Sequence, residues 1–193
     1  YDRATGWAMN LGAVQLTSGT IRSIAVAPSD GNRIYTGGSD GTLCMSSNRG
    51  ANWITMPSVP FAGQVIKDIA VHPTNANRLI VVLSSGSGTR IYECQNASAA
   101  TPTWTARQGS GSNATPNIAH LSICIDPRRP NTDWYVGTDV GVFMTTDGGT
   151  TWANITAPLG LPNLRVDELT YVPGTASLYA ATHGRGIWRI DTG

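Results

Sequence analysis

Lysine is nearly missing from this chain: Lys67 is the only one, and Glu93 and Glu168 are the only glutamates. Charged residues are 13% of 193 and sum to a formal +1, which argues against nucleic acid or an anionic membrane as partner. Long apolar runs are absent as well. None approaches the roughly 18 residues of a membrane span, and no signal peptide remains in the chain. The three cysteines, Cys44, Cys94 and Cys124, are odd in number and show no CxxC or Cys/His ligand spacing. They read as buried free thiols, and neither a metal nor a cofactor is expected. No Gly-rich phosphate loop and no Ser-His-Asp order stands out either.

What is present is turn residues and tryptophan. Glycine at 22 and proline at 11 suit many turns and no long helix, while 40% apolar content is enough for one sizeable core. Trp7, Trp53, Trp104 and Trp152 recur at steps of 46, 51 and 48 residues. A period near 50 made of short β segments marks a propeller-type repeat. The modules align. Their first strands are Ile24-Ala25-Val26-Ala27, Ile69-Ala70-Val71-His72, Ile123-Cys124-Ile125-Asp126 and Leu169-Thr170-Tyr171-Val172, each closed by a proline that cannot donate to a ladder. Second and third strands follow, and the tryptophan segments form the fourth. The expected fold is all-β, a propeller of four-stranded antiparallel blades at about residues 20–56, 65–107, 117–155 and 165–190 of a single domain, 1–193.

The turn between strands three and four carries the most specific motif. Ser46-Ser47-Asn48-Arg49-Gly50-Ala51-Asn52-Trp53 and Thr145-Thr146-Asp147-Gly148-Gly149-Thr150-Thr151-Trp152 share the pattern Ser/Thr-x-Asp/Asn-x-Gly-x-x-Trp. The carboxylate or amide can accept backbone N–H bonds within the loop, the glycine can supply a positive φ, and the indole can pack over the hairpin. These segments resemble Asp-box (BNR) repeats, the hairpin turns of sialidases, sortilin-type propellers and xyloglucanase-like glycoside hydrolases. In those families the box is structural and lies away from the ligand face, so Ser46, Asn48, Gly50, Trp53, Thr145, Asp147, Gly149 and Trp152 are expected to hold turns. Asp191 and Gly193 read as the start of a further box, and Gln95-Asn96-Ala97-Ser98 through Trp104 as a longer, decayed one.

The last module lacks its tryptophan strand, and the first residues hold an orphan one around Trp7. Propellers close by pairing an N-terminal strand into the last blade, which removes two exposed edges. Residues 4–10 are therefore expected to complete the fourth blade. The alternative is that four blades belong to a six- to eight-bladed propeller, and a chain that does not begin with methionine also reads as processed or excised.

Loops entering strand one and joining strands two and three share one face around the channel. Asp40, Asp139 and His183 fall at one repeated position there, with Arg185 beside the last. The strand-one entries add Arg22, Lys67, Asp68, Asp167 and Glu168. Carboxylates, an imidazole and a few cations near one opening suit polar ligand recognition. Catalysis has less support. A sialidase resemblance implies an arginine cluster, a Tyr-Glu pair and an Arg-Ile-Pro segment, which does not occur. An inverting hydrolase needs two carboxylates about 6.5–9.5 Å apart, for which Asp68, Asp167 and Glu168 are the candidates, but those enzymes build their clefts from far longer chains.

The leading expectation is a non-catalytic, secreted or cell-surface propeller that binds an extracellular glycan or protein. The alternatives are a fragment of a larger secreted glycoside hydrolase, or a structural subunit forming a homo-oligomer by strand exchange. Sequons at Asn96, Asn113 and Asn154 are possible glycosylation sites only in a eukaryotic host.

Overall fold

The computed structural model describes residues 15–84, 88–158 and 160–192. It is a β-propeller of four antiparallel blades, and among the described residues the only helix is two single 3₁₀ turns. The first blade runs β1 (Ile21–Ala27), β2 (Asp30–Gly38), β3 (Leu43–Ser46) and β4 (Ile54–Thr55). The second is β5 (Ile66–Val71), β6 (Leu79–Leu83), β7 (Ile91–Cys94) and β8 (Trp104–Ala106). The third is β9 (His120–Ile125), β10 (Trp134–Thr138), β11 (Gly141–Thr145) and β12 (Ala153–Asn154). The fourth contributes β13 (Val166–Val172), β14 (Ser177–Thr182) and β15 (Gly186–Asp191). Strands within a blade pair in sequence order. The segment expected to complete the fourth blade, residues 4–10 with Trp7, lies outside the described residues. No helix among the described residues is long and apolar enough to cross a membrane.

The second and third blades bury both faces because alternate strand residues point to opposite neighbours, while Ile24 of the first blade and Ile187 of the fourth are exposed. Tyr35, Leu43 and Met45 of the first blade meet Ile66, Ile69 and Val71 of the second in one core. Ile80, Val82 and Ile91 meet Ile123 and Ile125 in the next, and Tyr135 and Val142 meet Val166 and Leu169 in the third. Close approach between sheets demands a small residue at one point. A Cβ on Gly37 would stand 2.3 Å from Cγ2 of Ile66, so a side chain there would push the second blade away. His120 takes the wedge position that Ile66 and Val166 hold in their blades. Its Nδ1 donates to the Ile118 carbonyl at 2.9 Å, and burial pushes its pKa down to about 4, so the ring is neutral near pH 7.

The hairpin turns after β3 and β11 use one hydrogen-bond scheme. Ser46 Oγ accepts from Gly50 N at 2.8 Å and donates to Asn48 Oδ1 at 3.0 Å, and Asn52 N donates to that same Oδ1 at 2.8 Å. In the second turn Thr145 Oγ1 accepts from Gly149 N at 2.9 Å and donates to Asp147 Oδ1 at 2.8 Å, which also accepts from Thr151 N at 2.9 Å. Gly50 and Gly149 have φ of 85° and 83°, a region that β-carbon sterics disfavour for other residues. The indole of Trp152 is buried and donates to the Arg107 carbonyl at 2.7 Å, tying this hairpin to the preceding blade.

The other two turns differ. In the second blade Cys94 stands opposite Leu79, the register position of Ser46 and Thr145. Its Sγ lies 3.6 Å from Asn96 Oδ1, which accepts from Thr103 N at 2.8 Å across a longer loop. In the fourth blade Asp191 is not in a turn of this kind. It pairs with Ser177 inside β15, one residue before the register position of Asp147, and accepts from Ser177 Oγ at 3.1 Å. Thr192 takes the position expected for Asp191, because strand pairing and not the spacing to glycine sets the register, and Gly193 lies outside the described residues.

Desolvation opposes ionisation of Asp147, but donors from Thr151, Thr145 and Thr150 outweigh it and hold its carboxyl below the usual range. Asp147→Ala is expected to cost roughly 1–2 kcal/mol of stability at neutral pH, measured by denaturant unfolding. Because the folded-state pKa is depressed, the stability that ionised Asp147 provides is present above its unfolded pKa and is lost as pH falls through the folded one. The deficit of the variant should therefore shrink on acidification.

Candidate functional site

The first strand of every blade carries a β-bulge at its start. The register slips between Ile21 and Ser23, Ile66 and Asp68, His120 and Ser122, and Val166 and Glu168. One residue per blade is left out of the ladder: Arg22, Lys67, Leu121 and Asp167. A bulge re-aims its extra side chain and ends regular pairing, and here three of the four reach one opening. A cavity of about 350 Å³ is lined by Arg22, Lys67 and Leu121 together with Asp139 and Arg165.

The residues that follow the bulge behave differently. Ser23, Asp68, Ser122 and Glu168 return to the ladder opposite Gly37, Val82, Gly137 and Ala181. Asp68 accepts from Ser23 Oγ at 3.2 Å, from Ile69 N at 2.8 Å and from Ile123 N at 2.9 Å. One carboxylate thus joins three blades. Desolvation raises its pKa despite those donors, and Glu168 is likewise raised by desolvation and by Asp68.

The loop residues divide in the same way. Asp40 accepts from Thr17 Oγ1 at 2.6 Å, Ser18 N at 2.9 Å, Ser18 Oγ at 2.5 Å and Thr42 N at 3.0 Å. The Ser18 and Thr17 hydroxyls hold its carboxyl far below the usual range, and the group anchors the chain entering β1. Asp139 lies 3.8 Å from Arg165 Nη1, whose Nε donates to Asp167 Oδ1 at 2.6 Å. His183 Nδ1 lies 3.6 Å from Asp167 Oδ2. Arg185 is exposed in the turn between β14 and β15 and is not among the residues that line the cavity. Asp139, Arg165, Asp167 and His183 therefore form one chain of polar contacts across the third and fourth blades. Arg22 and Lys67 face it and make no salt bridge among the described residues.

Arg165 was not among the residues singled out from the sequence. Its signal was its place one residue before Val166, equivalent to Val65 before Ile66, and Val65 also lines the cavity. Arg22 and Lys67, which make no salt bridge among the described residues, and the exposed Asp139 supply donors and an acceptor for a polar ligand.

No protein-family model matches the chain. It is similar to a xyloglucanase of Hypocrea jecorina, 28% identical over 167 residues that cover 81% of this chain and 18% of that protein. A GH74 enzyme of Niastella koreensis superposes with a TM-score of 0.67 at 17% identity, covering 89% of this chain and 28% of the enzyme. YCF48 in a structure described as bound to D1 peptide superposes at 0.66 and 16% identity, covering 93% of this chain and 55% of that one. The solved structures support the propeller fold alone. The chain spans under a fifth of the curated relative's length.

Since burial raises the Asp68 pKa, its effect on stability runs opposite to that of Asp147. A raised folded-state pKa gives stability that is present below the unfolded pKa and lost as pH rises through the folded one. Asp68→Asn should therefore gain melting temperature relative to the parent as pH is taken from acid to neutral. A difference that does not change with pH in differential scanning calorimetry contradicts this.

Proposed function

We propose that this chain is a non-catalytic, extracellular β-propeller that binds a glycan at the opening between Arg22, Lys67, Arg165 and Asp139. The observation that carries the reading is the cavity of about 350 Å³ lined by Arg22 and Lys67, neither of which makes a salt bridge among the described residues. Sugar hydroxyls accept from arginine and lysine and donate to a carboxylate, so this set of groups suits a carbohydrate without any acid-base chemistry. The xyloglucanase similarity supports a carbohydrate over a protein ligand. On this reading the Ser/Thr–Asp/Asn turns are structural Asp-boxes on the remote face, residues 1–193 form one domain, and Asp40 and Asp68 hold the frame.

A second reading is favoured by one specific observation: the matched region covers only 18% of the curated relative. The chain would then be part of a larger glycoside hydrolase and would supply binding surface to it.

The test is a glycan array that includes xyloglucan oligosaccharides, run on the parent, on Arg22→Ala with Lys67→Ala, and on Asp147→Ala. Hydrogen bonds to charged groups contribute about 1.5–3 kcal/mol each. The double variant should lose at least about tenfold in affinity with its melting temperature nearly unchanged, since about 1.4 kcal/mol is a factor of ten. Asp147→Ala should bind like the parent. Binding unaffected by the double variant would remove this opening as the site. Release of reducing ends from a glycan by this chain alone would overturn the non-catalytic assignment.

A further inference from the structure

Charge is sorted between the two ends of the first strands. At the bulged end the opening is lined by Arg22, Lys67 and Arg165 against the one carboxylate of Asp139, and Lys67 is the only lysine in the sequence. At the other end a cavity of about 400 Å³ is lined by Pro28, Pro73, Pro127 and Pro173 with Tyr171 and apolar strand residues, and no charged side chain is among them. Lys67, Asp139 and Arg165 belong to junctions that are closed within the chain, since β5 packs on β9 and β9 on β13.

The cations at the opening are not matched by carboxylates. Arg165 is shared between Asp139 and Asp167. Lys67 interacts with Asp68 and Glu168, but desolvation raises the pKa of both, which weakens the negative charge set against it. Asp68 also spends its oxygens on Ser23, Ile69 and Ile123. Aromatic rings are absent from the lining. Phe61, Trp134, Tyr135 and Trp152 are instead buried in the blade cores. A neutral sugar is held by stacking on such rings together with hydroxyl hydrogen bonds, and this opening offers it only the second. An anionic group gains more here, because hydrogen bonds between ionised partners are roughly twice as strong as neutral ones.

We propose that the ligand of this opening is an acidic glycan, a sugar chain whose carboxylate or sulfate is held by Lys67 and Arg22. The inference rests on the glycan-binding reading above and narrows it to a charged class. Arg165 donates to a ring hydroxyl or to the same anion, and Asp139 accepts from a neighbouring hydroxyl. The apolar part of the lining, Val65, Ala119 and Leu121, lies against the carbon face of the sugar. Specificity then comes from charge: a neutral sugar leaves Lys67 and Arg22 without an anion, and an acidic one supplies it.

The test is isothermal titration calorimetry on residues 1–193 with short oligosaccharides in two matched series. One pairs galacturonate oligomers with their methyl esters, and the other pairs sulfated galactan oligomers with unsulfated ones. The charged member of at least one series should bind at least about tenfold more tightly than its neutral counterpart. The series that shows the preference tells carboxylate from sulfate. That affinity should fall as salt is raised from about 0.05 M to about 0.5 M. Lys67→Gln keeps a hydrogen-bond donor and loses the charge, so it should weaken the acidic oligomers several-fold, while Lys67→Arg retains most of the binding. Equal binding of charged and neutral members, unchanged in Lys67→Gln, overturns the inference and leaves the glycan-binding reading standing. The same holds if neither series binds and xyloglucan oligosaccharides do. Failure to bind any glycan removes both readings, as does an acidic peptide that binds more tightly than every acidic oligosaccharide.

Discussion

A four-stranded blade has two apolar faces and cannot bury either alone. That constraint organises the rest of the molecule. Each first strand must present one set of residues to the blade before and another to the blade after, which a period-2 strand does automatically. The second strand is small where the next blade approaches most closely, as at Gly37 against Ile66 and Gly137 against Val166. The stability of such an array comes from its junctions, and each junction depends on the one beside it. The polar groups at the junctions follow the same logic. Asp68 is tolerated there because hydroxyl and N–H donors from the first, second and third blades converge on it.

Two repeated irregularities divide the labour between the ends of the blades. The hairpin turns at one end fold Ser/Thr and Asp/Asn side chains back on their own backbone, so these polar groups are consumed by structure. The bulges at the other end expel one side chain per blade from the ladder, and that is how Arg22, Lys67 and Leu121 reach a common opening. A strand that paired regularly to its end would point the same residues into a neighbouring sheet.

The architecture was legible because it is repeated. Prolines 28, 73, 127 and 173 mark the ends of first strands, and the tryptophan period marks the blades. The turn motif was legible for Asn48 and Asp147, where side-chain spacing fits a local loop. Its version in the second blade was only partly visible, because Cys94 replaces a hydroxyl residue and Asn96 acts across a longer loop. Asp191 was misplaced by one residue, since spacing to a glycine does not fix strand register. Within the candidate site, the pairs Lys67-Asp68 and Asp167-Glu168 were found together, but sequence could not separate their members. Only the bulge shows that the first of each pair leaves the ladder and the second returns to it. Arg165 was missed because its role comes from ion pairs with Asp139 and Asp167 across two blades. The exposure of Ile24 and Ile187 could not be read from sequence at all, since both are ordinary core residues of the repeat.

Native-state hydrogen exchange followed by mass spectrometry tests the dependence of each blade on its neighbours most directly. It is best done on dilute protein, so that contacts between copies do not contribute. The account predicts that β5 and β9, covered on both faces, exchange only through global unfolding, while β1 and β15 exchange through smaller openings and more rapidly. Equal protection of β1 and β9 in that protein would contradict it, because a strand with an open apolar face would then be as stable as one packed on both sides.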